Sequence, residues 1–310
     1  CALPIYFEER RSLEQNLTFE AAEKEFSERD ILFGTAQMKT LGIMTQDGVY
    51  TNLGLLLSDQ CVHTIKAAVF EGTTQNEFKD RKEFSGSLFR QMEDVYEYID
   101  FRNQMHSTFQ KLRRIDQRDY PETAVREALL NLLVHREYSF RASTFISIYT
   151  DRIEFTSIGG LVNGVTLKDV LMGISVCRNV KLANVFYRLK LIEAYGTGMR
   201  KIQESYAGTG KEPKIEVSDN AFKIVLPNLN LCTQRKDLNM ENTTESLREN
   251  VVINLAKELG TFTRKDLEKR LDISQTSCGR LIKQMIESGE IVQVGKGRST
   301  RYQLVRQNKM

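Results

Sequence analysis

Within Pro121 to Tyr138 three polar residues stand four apart with only apolar residues between them: Glu127, Asn131 and His135. Read as a helix, the spacing puts a carboxylate, a carboxamide and an imidazole on one face, about one turn apart. The residues between them (Ala128, Leu129, Leu130, Leu132, Leu133 and Val134) are apolar, so the helix is expected to be buried. Buried polar groups need partners, because leaving them unpaired is costly. Two arrangements meet that need. The three side chains bond to one another, Arg126, Arg136 and the backbone, or they line a polar pocket. In a pocket, a carboxylate such as Glu127 can orient an attacking water. A carboxamide oxygen such as that of Asn131 can ligate Mg²⁺ bridging phosphates.

The elements around this helix supply glycine turns. A hairpin is expected from Thr144–Tyr149 and Arg152–Thr156, which alternate across the turn Thr150-Asp151. The second strand breaks at Ser157-Ile158-Gly159-Gly160, where glycine permits positive φ or close approach of a ligand. Gly196-Thr197-Gly198 opens a helix that runs to about Tyr206, and unpaired N–H groups at such a helix start suit phosphate oxygens. Each glycine pair is equally consistent with an ordinary tight turn. Arg178-Asn179 introduces a helix from Lys181 to Leu191, and Lys214–Val217 and Ala221–Leu226 read as closing strands. Upstream, Leu17–Thr40 reads as two helices, Leu53–Leu57 as a third and His63–Phe70 as a strand, in the order of a small winged-helix-like unit. Ser85–Lys111 reads as one long helix.

The segments EALLNLLVH, DRIEFTSIGGL, RNVKLANVF, EAYGTGMRKI and FKIVLPN, preceded by TNLGLLLSDQ and IKAAVFEG, resemble in order and spacing the RecG-like divergent ATP-binding family. That resemblance, from about Gln15 to Asn230, implies an ATP-binding part similar to the GHKL fold of gyrase, histidine kinases and MutL. It also implies a transcriptional regulator or ATP-binding protein with a Schlafen-type AlbA-like domain at its N-terminus. Carried over to this sequence, Glu127 matches the general-base glutamate and Asn131 the Mg²⁺-ligating asparagine of an ExxxN helix. His135 matches a position that is often histidine. The DxGxG turn falls on Ser157 to Gly160, with Ser157, a shorter and weaker acceptor, where an aspartate would read adenine. Gly196, Thr197 and Gly198 match the second glycine box, with a lid between Leu161 and Tyr195. ATP and Mg²⁺ are therefore the expected cofactors, bound by Asn131, His135, Ser157, Gly159, Gly160, Gly196, Thr197 and Gly198. The start at Cys1 fits a chain lacking its AlbA-like domain.

From Leu231 to Ser246 the sequence is polar and aperiodic, which marks a linker. The order that follows is helix, helix, turn, helix and hairpin: Leu247–Leu259, Arg264–Leu271, Gln275–Ser288, then Ile291–Val294 paired with Tyr302–Val305. This is the plan of a winged helix-turn-helix. In it, Gln275, Thr276, Ser277, Arg280 and Lys283 lie on the recognition helix, and Lys296, Arg298 and Arg301 on the wing. Arginine and lysine there would hold phosphates, and glutamine, serine or arginine would read base edges. From Glu245 onward there are thirteen Lys/Arg against eight Asp/Glu, a net of +5 within a chain total of +3. Such asymmetry favours a polyanion partner.

The expected architecture is thus α+β. A helical or winged-helix-like segment (1–111) precedes a GHKL-like sandwich (112–230), a linker (231–246) and a winged helix (247–310). The expected function is a nucleotide-sensing DNA-binding transcriptional regulator; the alternative is an ATPase of DNA metabolism or phage defence with Glu127 as base. Double-stranded DNA, a nucleotide and a second copy of the chain are the expected partners, with no membrane. No GxxxxGK[ST] motif is present, which argues against P-loop helicase chemistry. Five scattered cysteines without a CxxC pair argue against structural zinc and fit a cytoplasmic setting.

Overall fold

The computed structural model describes residues 6–174, 176–193, 196–231, 251–271, 273–295, 297 and 300–305. These fall into two compact units divided at Leu231/Cys232.

The first unit is a mixed sheet with helices on one side. Its strands are β1 (Ile65–Phe70), β2 (Phe78–Phe84), β5 (Thr144–Ile148), β6 (Arg152–Ile158), β7 (Lys214–Ser218) and β8 (Ala221–Pro227), in the order β2-β1-β5-β6-β8-β7. Only β1 and β5 run parallel; the other neighbours are antiparallel. The register aligns Ala67, Ile146, Phe155 and Ile224 in one row across four strands, all buried. Alternation along each strand sends the next residues (Lys66, Phe145, Glu154 and Lys223) to the other face, away from that row.

The helices α1 (Glu20–Ser27), α2 (Thr35–Leu41), α3 (Asn52–Leu57), α4 (Leu88–Asp100), α5 (Glu122–Val134), α6 (Leu167–Leu171), α7 (Val180–Arg188) and α8 (Gly198–Ser205) complete this unit. One apolar cluster runs from Phe19 in the N-terminal region to Leu226 in the last strand. The segment 1–111 therefore has no separate core. Its β1 and β2 join the same sheet as β5 to β8, and the boundary expected after residue 111 divides nothing.

The expected long helix 85–111 is also corrected. It spans only α4, and the chain continues as a hairpin of β3 (Met105–Gln110) and β4 (Arg113–Arg118). The apolar repeat that buries Leu88, Phe89, Val95, Tyr98 and Ile99 stops at Ile99. Beyond it the sequence MHSTFQ has no helical stripe, and Asn103 instead holds Tyr120 through both its carbonyl oxygen and the amide (2.9 and 2.8 Å). Strand β2, FKDRKEF, is charged and exposed for all but its last residue, so no alternation marks it in the sequence.

In the second unit, residues 251–259 form α9, followed by α10 (Arg264–Leu271), α11 (Gln275–Glu287), β9 (Ile291–Val294) and β10 (Arg301–Leu304). The core is Val252, Leu255, Phe262, Leu267, Cys278, Leu281, Ile282, Met285 and Ile291 with their neighbours. Ser274 caps α11 through the N–H of Ser277 (3.3 Å), and Phe262 and Tyr302 exchange two backbone hydrogen bonds (2.8 and 3.0 Å). No described helix is long and apolar enough to cross a membrane.

Candidate functional site

Helix α5 is buried on nearly every side, from Ala124 to Val134. A buried helix end exposes carbonyls that need donors. Here Ser157 Oγ donates to Leu132 O (3.3 Å), Tyr138 Oη to Leu133 O (2.8 Å) and Asn179 Nδ2 to Val134 O (2.8 Å). Asn179 also donates to Arg136 O (2.7 Å). Ser157 is thus a donor to the end of α5. It is buried beneath the helix and lines neither of the cavities described next, although its sequence position matched an adenine-reading aspartate.

Two cavities lie on either side of the α5 polar face and share Asn131, His135, Gly196 and Gly198. The first, about 720 Å³ including its space open to solvent, is walled by Leu161, Val162, Val165, Val170, Ile174, Val176, Met199 and Phe222, with Gly159, Gly160 and Arg178. The second, about 1130 Å³, adds polar groups: Glu127, Asn184, Glu193 and Thr197, beside Cys177 and Tyr187. An apolar cavity and a polar one that share a carboxamide in their walls suit a ligand with a flat apolar end and an ionic end.

Helix α5 ends one residue earlier than the spacing implied. His135 is its C-cap (φ −98°, ψ 0°), yet its ring still borders both cavities. Burial, with a smaller contribution from the Arg178 charge, pushes the His135 imidazole down to about 4. It is therefore neutral near pH 7. Asn131 Nδ2 donates to Glu127 O (2.7 Å), and its Oδ1 receives no hydrogen bond from a described residue. Glu127 is buried, at 8% exposure. Its Oε1 pairs with Arg126 Nη1 (2.6 Å) and lies 4.0 Å from Lys201 Nζ. Lys201 is held in turn by Glu193 (2.6 Å), whose carboxyl that bond and one from Thr197 keep below its ordinary range.

The glycines of the two boxes do different work. A Cβ on Gly198 would stand 3.0 Å from both Asn131 Nδ2 and Glu127 Oε2, so this glycine lets α8 close onto the α5 polar face. Thr197 makes no side-chain cap to α8, which leaves the first N–H groups of that helix beside Asn131. Gly159 and Gly160 are spent on packing. Their N–H groups donate to Asn220 O (2.9 Å) and Asp219 O (3.2 Å), and a Cβ on Gly160 would stand 2.4 Å from Ser218 O. Arg178 pairs with Glu137 and donates to Gly160 O (2.8 Å), fixing the same turn. Burial raises the Glu137 carboxyl, but bonds from Ser139 and Arg178 outweigh it and hold its pKa below the usual value. Sequence reasoning did not single out Lys201 or Glu193. Lys201 lies three residues after Gly198 in α8, on the face that the glycine brings to α5.

On the second unit, Gln275, Thr276, Ser277, Arg280 and Lys283 are all exposed. Ser277 belongs to the cap of α11, Gln275 lies against Arg264 with its amide oxygen turned to Nη2 (2.9 Å), and Lys283 lies 3.8 Å from Glu287. Arg301, on β10, donates to Thr261 Oγ1 (3.3 Å). Lys296 and Arg298 lie outside the described residues.

No curated protein sequence matches the chain. Among solved structures, the DIP2311 protein from Corynebacterium diphtheriae is similar at a TM-score of 0.63 and 17% identity, over 97% of this chain and 64% of that one. This chain therefore spans less than two thirds of DIP2311. Residues 142–226 match the family described as putative ATP-dependent DNA helicase recG C-terminal. The match runs from before β5 to Leu226 in β8 and takes in α7, α8 and every glycine of the site, but begins after His135. Residues 142–226 are thus similar to a RecG-type ATP-dependent family, and the chain as a whole shares its fold with DIP2311.

Proposed function

We propose that the first unit binds a nucleotide across the two neighbouring cavities, in the manner of a GHKL-like domain, and that the second is a winged helix that binds DNA. On this reading the chain is a nucleotide-sensing transcriptional regulator. The observation that carries it is the α5–α8 junction, where Asn131, the neutral His135 and a helix start without a side-chain cap border both an apolar and a polar cavity. The resemblance of residues 142–226 to an ATP-dependent family supports the same ligand class.

The residues fit Mg²⁺ and phosphates. Asn131 Oδ1 has no competing donor among the described residues and would hold the ion; Lys201 and the start of α8 would hold phosphate oxygens. The ion would supply charge neutralisation between phosphates. The apolar chamber would take the base by packing, with no carboxylate among its walls to accept from an adenine amino group. Glu127 as placed is a charge partner. One oxygen is paired with Arg126, and the other faces the glycine at the start of α8.

A thermal-shift titration with Mg²⁺ and ATP, ADP or GTP tests the reading. A ligand at a hundred times its Kd stabilises the native state by about 2.7 kcal/mol. A rise in Tm for wild type that Asn131→Ala abolishes is expected. No shift with any of the three nucleotides would end the proposal. Release of phosphate by wild type but not by Glu127→Ala would instead establish the ATPase.

A further inference from the structure

The β3–β4 hairpin takes no part in the site described above. It is a two-stranded sheet of its own, in register Phe109↔Arg114 and Gln110↔Arg113. Its base is tied down. His106 Nε2 lies 3.1 Å from Asp119 Oδ1, Arg118 pairs with Asp100 and Glu122, and Asn230 Nδ2 donates to Gln117 O (3.2 Å). Its outer half stands clear: Phe109 is 76% and Leu112 100% exposed, and Lys111, Arg113 and Arg114 are exposed beside them. The one acid between Met105 and Arg118 is Asp116, already bonded to Arg114 Nε (2.7 Å) and Ser107 Oγ (2.6 Å). Lys111 turns the tip at φ +57°, in the left-handed region where glycine or asparagine would be the low-cost residue. The tip thus keeps a cation at a position where a side chain is conformationally unfavourable.

We propose that this hairpin is an arm that inserts its tip into a groove of duplex DNA. A two-stranded ribbon fits the major groove, and strands of six residues reach about 20 Å, more than the groove is deep. Lys111, Arg113 and Arg114 would contact phosphates on the groove walls. Leu112 and Phe109 would supply apolar contact to a thymine methyl or a base step. Charge decides against a second copy of the chain meeting tip to tip, since two such tips repel. An anionic bilayer would also suit a basic, apolar tip. However, Ser107, Thr108, Asp116 and Gln117 along the ribbon suit a hydrated groove and would have to lose water in a membrane. The inference rests on the DNA-binding reading for its partner but not for its surface.

The test is fluorescence anisotropy of the full chain with a labelled duplex of mixed sequence, between about 50 and 200 mM salt. The combined substitution Lys111→Ala, Arg113→Ala, Arg114→Ala is expected to lower the slope of log K against log salt by about 0.9 per lost contact, close to 3 in all. Leu112→Ser is expected to weaken binding with the slope unchanged, which separates the apolar contact from the charges. All four positions are exposed, so an unchanged far-UV circular dichroism spectrum accompanies both variants. Wild-type affinity and slope in the triple variant would overturn the proposal. So would loss of binding to phosphatidylserine vesicles in that variant with DNA binding intact. Loss of DNA binding with Arg280→Ala/Lys283→Ala but not with the tip variants leaves the α11 reading standing and overturns this one; the reverse supports the arm and removes α11.

Discussion

At the scale of single residues, the site turns on which groups are already committed. Ser157 is committed to Leu132 O, so Ser157→Ala leaves that carbonyl buried without a donor. The expected cost is about 1–3 kcal/mol in urea unfolding, with any nucleotide-induced Tm shift retained. Asn131→Ala should show the opposite pattern, with near-normal stability and no shift. Gly198→Ala is more severe, because its methyl would press on Asn131 and Glu127 at once. A loss of about 1–3 kcal/mol together with loss of the ligand shift is expected, the stability part read from the same unfolding curves.

His63, also on the first unit, sets a pH dependence. Its ring is 2% exposed, and burial, then the charges of Arg136 and Arg141, push it down to about 4 from 6.5. Above pH 6.5 both folded and unfolded chains hold it neutral, and its contribution to stability is complete. As pH falls from 6.5 toward 4 only the unfolded chain takes up the proton. Stability should fall over that window by on the order of 3 kcal/mol from this group. Urea midpoints measured from pH 7 to pH 4 check this. The decline should be shallower in His63→Gln, and identical declines in the two proteins would refute it.

At the scale of elements, α5 shows why pattern and position differ. Its apolar sequence marked it as the central helix, and it is. The stop at Val134 was not visible, because it is set by Tyr138, Ser157 and Asn179, which come from three later segments. The same holds for the glycines. Gly159 and Gly198 look alike in the sequence, yet one packs on Glu137 and Arg178 and the other on Glu127 and Asn131. In the second unit the helix and hairpin order was legible, since each boundary has a local signal: Gly260, Thr263, Ser274 and Gly289. That unit has its own core, so a fragment of residues 251–305 is expected to keep a helical circular dichroism spectrum and a cooperative melt. A featureless melt would show that this core does not suffice alone.

At the scale of the whole molecule, charge placement was readable directly. The excess of Lys/Arg after Glu245 needs only counting, and so does the lack of a long apolar run in the sequence. What counting cannot supply is which cations are free. Arg126 is bound to Glu127, Arg178 to Glu137, Arg301 to Thr261 and Arg114 to Asp116, whereas Lys111 and Arg113 at the hairpin tip and Arg280 on α11 lie exposed. The sequence by itself determined the buried α5 with its Glu–Asn–His spacing, the glycine turns, the hairpin β5–β6 and the helical order of the C-terminal unit. Each of these is fixed by periodicity, capping or glycine over a few neighbouring residues. The tertiary structure alone decided that β1 and β2 belong to the same sheet as β8, that α4 gives way to a hairpin, and that Ser157 bonds a helix end. It also decided that Gly198 rather than Gly160 faces the α5 polar groups. Those outcomes depend on pairing and packing between residues tens of positions apart, where no local pattern carries the information.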